Sequence, residues 1–236
     1  MRRIILKISG EALSTKDKII GMEKVNDIAN EIKSLHDLGD ISIGIVCGAG
    51  NIWRGRDAIE NGMDRTTADY MGMLGTILNC MALQSALENL GLKTRVLTSL
   101  SIPQIAEPYI RRKADSHLEK GIICIFGAGI GNPYFSTDTT AALRASELGC
   151  DTILMAKNGT DGVYDKDPRK YSDAKKYTKL SHAEVINKQL GVMDLTAATL
   201  CMQNDIDIIV FDMNVKGNIA RVAKDPSIGT LVTNKE

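Results

Sequence analysis

The chain has 236 residues, 44% apolar and 25% charged. These proportions speak against disordered, fibrous and membrane classes and leave room for one large α/β domain or two tightly joined lobes. Lys+Arg and Asp+Glu balance at 29 each, so no global field recruits nucleic acid or an anionic membrane, while a mononucleotide, which needs only local cations, stays admissible. The five cysteines, odd in number and without a C-x-x-C pair, sit mostly in apolar runs, which disfavours zinc and disulfide frameworks and points to a cytoplasmic setting.

Residues 3–8 read as a buried first strand, broken by Lys7 and too short for a signal segment. Val25, Ile28, Ala29, Ile32 and Leu35 form a helical stripe over 24–38 that Gly39 closes, and 41–46 is a second strand. Residues 68–90 carry Met and Leu at helical spacing up to Gly91, with the methionines read as core filling. Strands follow at 93–98 and 122–126, and Arg111-Arg112-Lys113 between them reads as a solvated helix face. A helix spans 138–148 with Asp138 near its start, and 152–156 is a strand. The polar stretch 160–179, with Asp-Gly, Asp-Pro and several lysines, reads as a hairpin or flap. Ser181 and Glu184 form a capping box, Asp194 is an N-cap for a helix over 195–203, and a strand at 206–211 precedes a short helix and an edge strand. His36, His117 and His182 read as surface residues. Strand–helix alternation of this kind predicts a mainly parallel sheet with helices on both faces, a three-layer αβα sandwich.

Ligands of open parallel sheets bind beyond the carboxyl ends of the strands, and four strand ends here carry glycine. They run into Lys7-Ile8-Ser9-Gly10-Glu11, Gly48-Ala49-Gly50-Asn51, Gly127-Ala128-Gly129-Ile130-Gly131 and Lys157-Asn158-Gly159. Interleaved with Lys7, Arg54, Asp138 and Lys157, these turns read as backbone N–H groups held close to anionic oxygens, where a Cβ would block the approach. Lys7 ends an apolar strand, and an unpaired buried ammonium is costly, which marks it as functional rather than structural. Trp53 reads as packing.

Two familiar phosphate motifs are absent. The chain contains no Gly-Lys dipeptide, which excludes a Walker P-loop. The third glycine of a dinucleotide fingerprint is replaced by Trp53 after Gly48 and Gly50, and by Asn132 after Gly127 and Gly129. What remains is a multi-loop phosphate site with several cations and carboxylates, the parts that phosphoryl transfer uses.

Six segments in order resemble the amino acid kinase superfamily and, within it, the bacterial UMP kinases: R-I-I-L-K-I-S-G-E-A-L (3–13), G-A-G-N-I-W-R-G (48–55), D-Y-M-G-M-L (69–74), G-N-P-Y-F-S-T-D (131–138), K-N-G-T-D-G-V-Y-D-K-D-P (157–168) and V-M-D-L-T-A (192–197). The resemblance implies the carbamate kinase-like fold as a single domain over 1–236, with the acceptor on roughly 1–150 and ATP on roughly 151–236. It implies ATP-dependent phosphorylation of UMP to UDP in pyrimidine nucleotide biosynthesis, assisted by Mg²⁺ that has no fixed protein ligands. Lys7, Arg54, Asp138 and Asp194 would form the catalytic set, with the division of labour between the two aspartates left open. Lys7, Ile8, Ser9, Gly10, Gly50, Arg54, Asn158, Tyr164 and Asp167 would hold ATP. Ala49, Asp69 and the run Ile130, Gly131, Asn132, Pro133, Tyr134, Phe135, Ser136 and Thr137 would hold UMP. The resemblance also implies a homohexamer, with helix 68–90 at an interface, and makes GTP and UTP candidate effectors. Ala49 stands where many relatives have Gly, and Ile130 where they often have Thr, so a tighter turn and a missing hydroxyl contact are expected. The rival readings are a sibling kinase acting on a carboxylate or carbamate and a non-catalytic nucleotide-binding regulator.

Overall fold

The computed structural model describes residues 1–235. In chain order its elements are β1 (Arg2–Ile8), α1 (Met22–His36), β2 (Ile41–Cys47), α2 (Gly55–Glu60), α3 (Arg65–Asn89), β3 (Thr94–Thr98), β4 (Glu107–Pro108), α4 (Arg111–Glu119), β5 (Ile123–Gly127), α5 (Thr137–Glu147), β6 (Thr152–Lys157), β7 (Val163–Tyr164), β8 (Lys176–Tyr177), β9 (Lys179–Leu180), α6 (His182–Asn187), α7 (Leu195–Gln203), β10 (Asp207–Asp212), α8 (Asn218–Lys224) and β11 (Thr230–Val232). Among the described residues nine strands form one sheet, ordered β4-β3-β5-β2-β1-β6-β10-β11-β9. Its pairs are parallel apart from β10–β11. β7 and β8 pair separately as an antiparallel hairpin, which is the polar flap of the sequence pattern.

β1 takes the middle of the sheet because both of its faces are apolar. Ile4, Leu6 and Ile8 enter the core packed by α1, α3 and α8, while Ile5 enters the core packed by α4, α5, α6 and α7. The result is the expected three-layer sandwich. From β1 the chain extends the sheet first through β2, β5 and β3, then returns to build β6 and β10 on the other side. The carboxyl end of β1 therefore lies at a topological switch point, the place where such sheets open a crevice.

Several local expectations change. α3 begins at Arg65, not 68, because the Asp64 carboxylate accepts the Thr67 N–H at 2.9 Å and caps the helix. α5 begins at Thr137, not 138, because Ser136 caps it. Of the methionines in α3, Met73 is buried, but Met71 and Met81 are exposed beside Tyr70, Leu74 and Leu78, so they form an apolar outer face rather than core. His182 is not a surface residue: it is buried, with its ring nitrogens facing Asn234 Oδ1 at 3.1 Å and the Ile206 carbonyl at 2.9 Å. Arg111, Arg112 and Lys113 are exposed on α4 as expected. No helix among the described residues is long and apolar enough to cross a membrane.

Candidate active site

The glycine turns after β1 and β2 meet backbone to backbone. A Cβ on Gly10 would fall 2.4 Å from the Gly48 carbonyl oxygen, so only glycine allows this closure. The Gly48 N–H donates to the Ile8 carbonyl at 3.0 Å, and buried Asn79 of α3 donates to the Gly48 carbonyl at 2.8 Å. Asn79 also exchanges hydrogen bonds with Asn51, which fixes the far side of the same turn. Ala49 is buried against α3, where a Cβ on Gly75 would come within 3.0 Å of the Ala49 methyl. The extra methyl at 49 is thus accommodated by the missing one at 75. After β5, Ala128 is left-handed at φ 62°, and its N–H donates to Thr76 Oγ1 at 2.8 Å.

Between these turns, Lys7 Nζ lies 2.6 Å from Asp138 Oδ1, with the side chains only 13% and 18% exposed. Lys157, at the end of the neighbouring β6, donates to the Val192 carbonyl at 2.6 Å. Burial holds the Lys157 pKa below the usual lysine value, with Asp138 pulling it back up and Lys7 pushing it down. Lys7 thus pairs with Asp138, while Lys157, bonded to a carbonyl, feels the charge of both. The Ser136 hydroxyl accepts the N–H groups of Asp138 and Thr139 at 3.0 and 3.1 Å, which orients the first turn of α5. That hydroxyl donates in turn to Asp194, as does the Thr139 hydroxyl at 3.1 Å. Asp194 also caps α7 through the Ala197 N–H at 2.9 Å. It is therefore both an N-cap and a clamp on the start of α5, and its partners are hydroxyls and an amide. Arg54 reaches Glu11 at 2.6 Å, on the exposed rim rather than in the lysine cluster.

Two concavities flank the cluster. One, of 340 Å³, is lined by Ala49, Gly50, Asp69, Ile130, Asn132, Phe135, Ser136 and Thr137 of the sequence-derived set. Gly131, Pro133 and Tyr134 stand outside this lining. Tyr134 is left-handed at φ 74°, its N–H donates to Asp69 Oδ2 at 2.7 Å, and its ring lies under the Arg65 guanidinium, which also pairs with Asp69 at 3.1 Å. The other, of 430 Å³, is lined by Lys157, Tyr164, Asp167 and Arg169 of the flap and by residues 188–191. The Tyr164 hydroxyl donates to Asp161 at 2.6 Å, and this bond raises its pKa. Asp167 holds the Arg169 N–H at 2.9 Å. Asn158 stands outside this lining and pairs with Asn214 at 2.8 Å. Ile8 is a core side chain, so only its backbone borders the crevice, next to Ser9 and Gly10.

A model of the amino acid kinase family matches residues 2–212. The chain belongs to the amino acid kinase family. Among solved structures, a UMP kinase from Ureaplasma parvum is 39% identical with a TM-score of 0.94, covering 99% of each chain. A UMP kinase from Bacillus anthracis is 40% identical with a TM-score of 0.95, covering 100% of this chain and 97% of that one. A uridylate kinase from Archaeoglobus fulgidus is 28% identical with a TM-score of 0.74, covering 99% of this chain and 100% of that one.

Some residues of this amino acid kinase site escape the sequence-derived set. Lys157 stands among the cations of the glycine turns but in none of the catalytic, ATP or UMP sets, although it ends an apolar strand just as Lys7 does. Met73 and Thr76 line the first concavity, as does Trp53, which donates from Nε1 to the Ala68 carbonyl at 2.9 Å. Asn79, a polar residue on the buried side of an apolar helix, carries a comparable signal. The cysteines are all buried and free. Burial pushes the Cys47, Cys124, Cys150 and Cys201 thiols up to about 12, so none of these four supplies a nucleophile at neutral pH.

Proposed function

We propose that this kinase transfers the γ-phosphoryl group of ATP to UMP, giving ADP and UDP in pyrimidine nucleotide biosynthesis. The observation that carries the proposal is the buried Lys7–Asp138 pair with Lys157 beside it. Lys157 lines the flap recess, and Thr137, adjacent to Asp138, lines the other concavity. A nonbridging oxygen of the UMP phosphate attacks the γ-phosphorus, the bond to the β–γ bridging oxygen breaks, and ADP leaves. That oxygen is already ionised, so no strong general base is required; the work is positioning and charge neutralisation.

In this proposal the backbones of Ile8, Ser9, Gly10 and Gly50 border the ATP phosphates. Lys7 and Lys157 neutralise charge on the transferring group, and Arg54 swings from Glu11 toward the phosphates. Asn158, Tyr164 and Asp167 form the adenosine side on the C-terminal part of the chain, roughly 151–236. Asp69 accepts from the ribose hydroxyls, and Ala49 with residues 130–137 encloses UMP on the N-terminal part. Asp138 orients the two lysines, and Asp194 holds α5 and α7 together.

Mg²⁺ accepts one or two carboxylates together with substrate phosphates. Asp138 is paired with Lys7 and both Asp194 oxygens accept protein hydrogen bonds, which fits a Mg²⁺ that would be held mainly by the substrate phosphates, with Asp138 the nearest carboxylate. When bound, the metal neutralises charge on the phosphate oxygens. The exposed apolar face of α3 supports assembly into the homohexamer, and the buried free thiols suit the cytoplasm. A coupled assay across UMP, CMP, dUMP, AMP and simple carboxylates tests the acceptor: UMP is expected to dominate, and a faster carboxylate would overturn the reading.

A further inference from the structure

The loop after β5 that lines the acceptor concavity has one internal backbone bond, from the Gly131 N–H to the Ala128 carbonyl at 3.0 Å, and is tied to α3 where the Ala128 N–H meets Thr76. Gly129 and Gly131 sit at φ +57° and +86°, and glycine gives a loop its greatest backbone freedom. Further support comes from behind. Ser99, just past β3, receives the loop closely: a Cβ on Gly131 would lie 3.1 Å from the Ser99 Cβ. The Ser99 hydroxyl donates to the Gly129 carbonyl at 2.8 Å, and the Ser99 N–H donates to the Gly127 carbonyl at 3.2 Å.

Ser99 Oγ accepts in turn from Arg144 Nη2 at 2.8 Å. Arg144 lies on α5, the helix that carries Asp138, and is 4% exposed. Its guanidinium lies 3.5 Å from the Tyr109 ring centroid, and Nη1 donates to Glu147 at 2.6 Å. The Tyr109 hydroxyl also donates to Glu147 at 2.6 Å, and Tyr109 packs edge-on against Phe126 of β5. A buried ion pair is a weak stabiliser, often no better than an apolar side chain of the same volume. A planar fork held on one side by a carboxylate and on its face by a ring is, however, a rigid way to aim an Nη2 N–H, here at Ser99, while the buried Nε has no partner among the described residues.

We infer that Arg144 is a positioning residue for the acceptor nucleotide: through Ser99 it fixes the Gly129 carbonyl, and with it the Gly129–Asn132 wall of the UMP pocket. The inference rests on the UMP kinase reading above. Arg144 touches neither nucleotide, so its effect falls on acceptor affinity and leaves ATP affinity and turnover at saturation in place.

The test compares wild type, Arg144→Lys, Ser99→Ala and the double variant by steady-state kinetics in both substrates and by calorimetric UMP binding without ATP. Loss of one oriented hydrogen bond predicts a rise in KM for UMP of about five- to tenfold for each single variant. KM for ATP and kcat stay within about twofold, and the double variant is no worse than the weaker single one, because both changes break one relay. KM for UMP unchanged in Ser99→Ala, or an equal loss in kcat and both KM values, overturns the inference. If Arg144→Lys does not fold, Ser99→Ala at a half-buried site carries the test alone. A wild type that neither binds nor phosphorylates UMP overturns the reading itself, and the inference with it; a wild type that does both, with variants that match it, overturns only the inference.

Discussion

On the proposed reading Lys7 has two roles, one in stability and one in catalysis, that a double-variant cycle separates. In Lys7→Met the ammonium 2.6 Å from Asp138 is lost, and a largely buried carboxylate keeps only Lys157 as a nearby cation. Removing one partner of a fully buried pair costs about 3–5 kcal/mol. The remaining lysine and the partial exposure reduce this to about 2–3 kcal/mol. In a chain of this size each kcal/mol moves the melting midpoint by about 2–4 °C, so a fall of about 5–10 °C is expected by calorimetry. Loss of a charge aimed at developing negative oxygens lowers kcat by about 10²–10³. Adding Asp138→Asn removes the stranded carboxylate and restores most of the melting midpoint, but it supplies no cation, so kcat stays low. A single variant within about threefold of wild type, or a double variant in which kcat recovers together with stability, would refute a catalytic role for Lys7.

Gly75→Ala should destabilise the fold, because its Cβ lands 3.0 Å from that of Ala49; in an Ala49→Gly background it should instead stabilise by up to about 1 kcal/mol, since Ala is the better helix former. Equal effects in both backgrounds, read from denaturant midpoints, would refute the pairing. The Lys157 pKa lies below 10.5, so its charge, and with it kcat, is lost on the alkaline side earlier than for a free lysine. Lys157→Arg, which does not titrate in that range, moves this limb to higher pH whatever its absolute rate, and an identical limb in both proteins would contradict the assignment. Asp69→Asn keeps an acceptor for the Tyr134 N–H but loses the Arg65 pair; KM for UMP should rise by about tenfold with kcat little changed, and a selective loss in KM for ATP would count against it.

The central strands were legible because they are largely buried and read as continuous apolar runs, and capping residues such as Ser181 and Asp194 because they act locally; the short, partly exposed β4 and β9 were not. The starts of α3 and α5 read late, at 68 and 138, because apolar periodicity begins after the caps Asp64 and Ser136. The outward methionines of α3 could not be told from core, since periodicity marks two apolar stripes on one helix but not which stripe faces inward. The phosphate turns stood out because glycine at four strand ends is a chain-local pattern. Which charges pair was not local: Lys7 meets Asp138 from far along the chain, and Arg54 turns to Glu11 on the rim. His182 was misread because its hydrogen-bond partners, Ile206 and Asn234, come from distant segments.

The central claim is tested most directly by mixing the purified protein with Mg-ATP and UMP and separating the nucleotides. Equimolar ADP and UDP, with no ATP consumed when UMP is omitted, is the predicted result. ATP bound but not consumed in the presence of UMP, or a phosphoryl group delivered to a carboxylate acceptor and not to UMP, would contradict it.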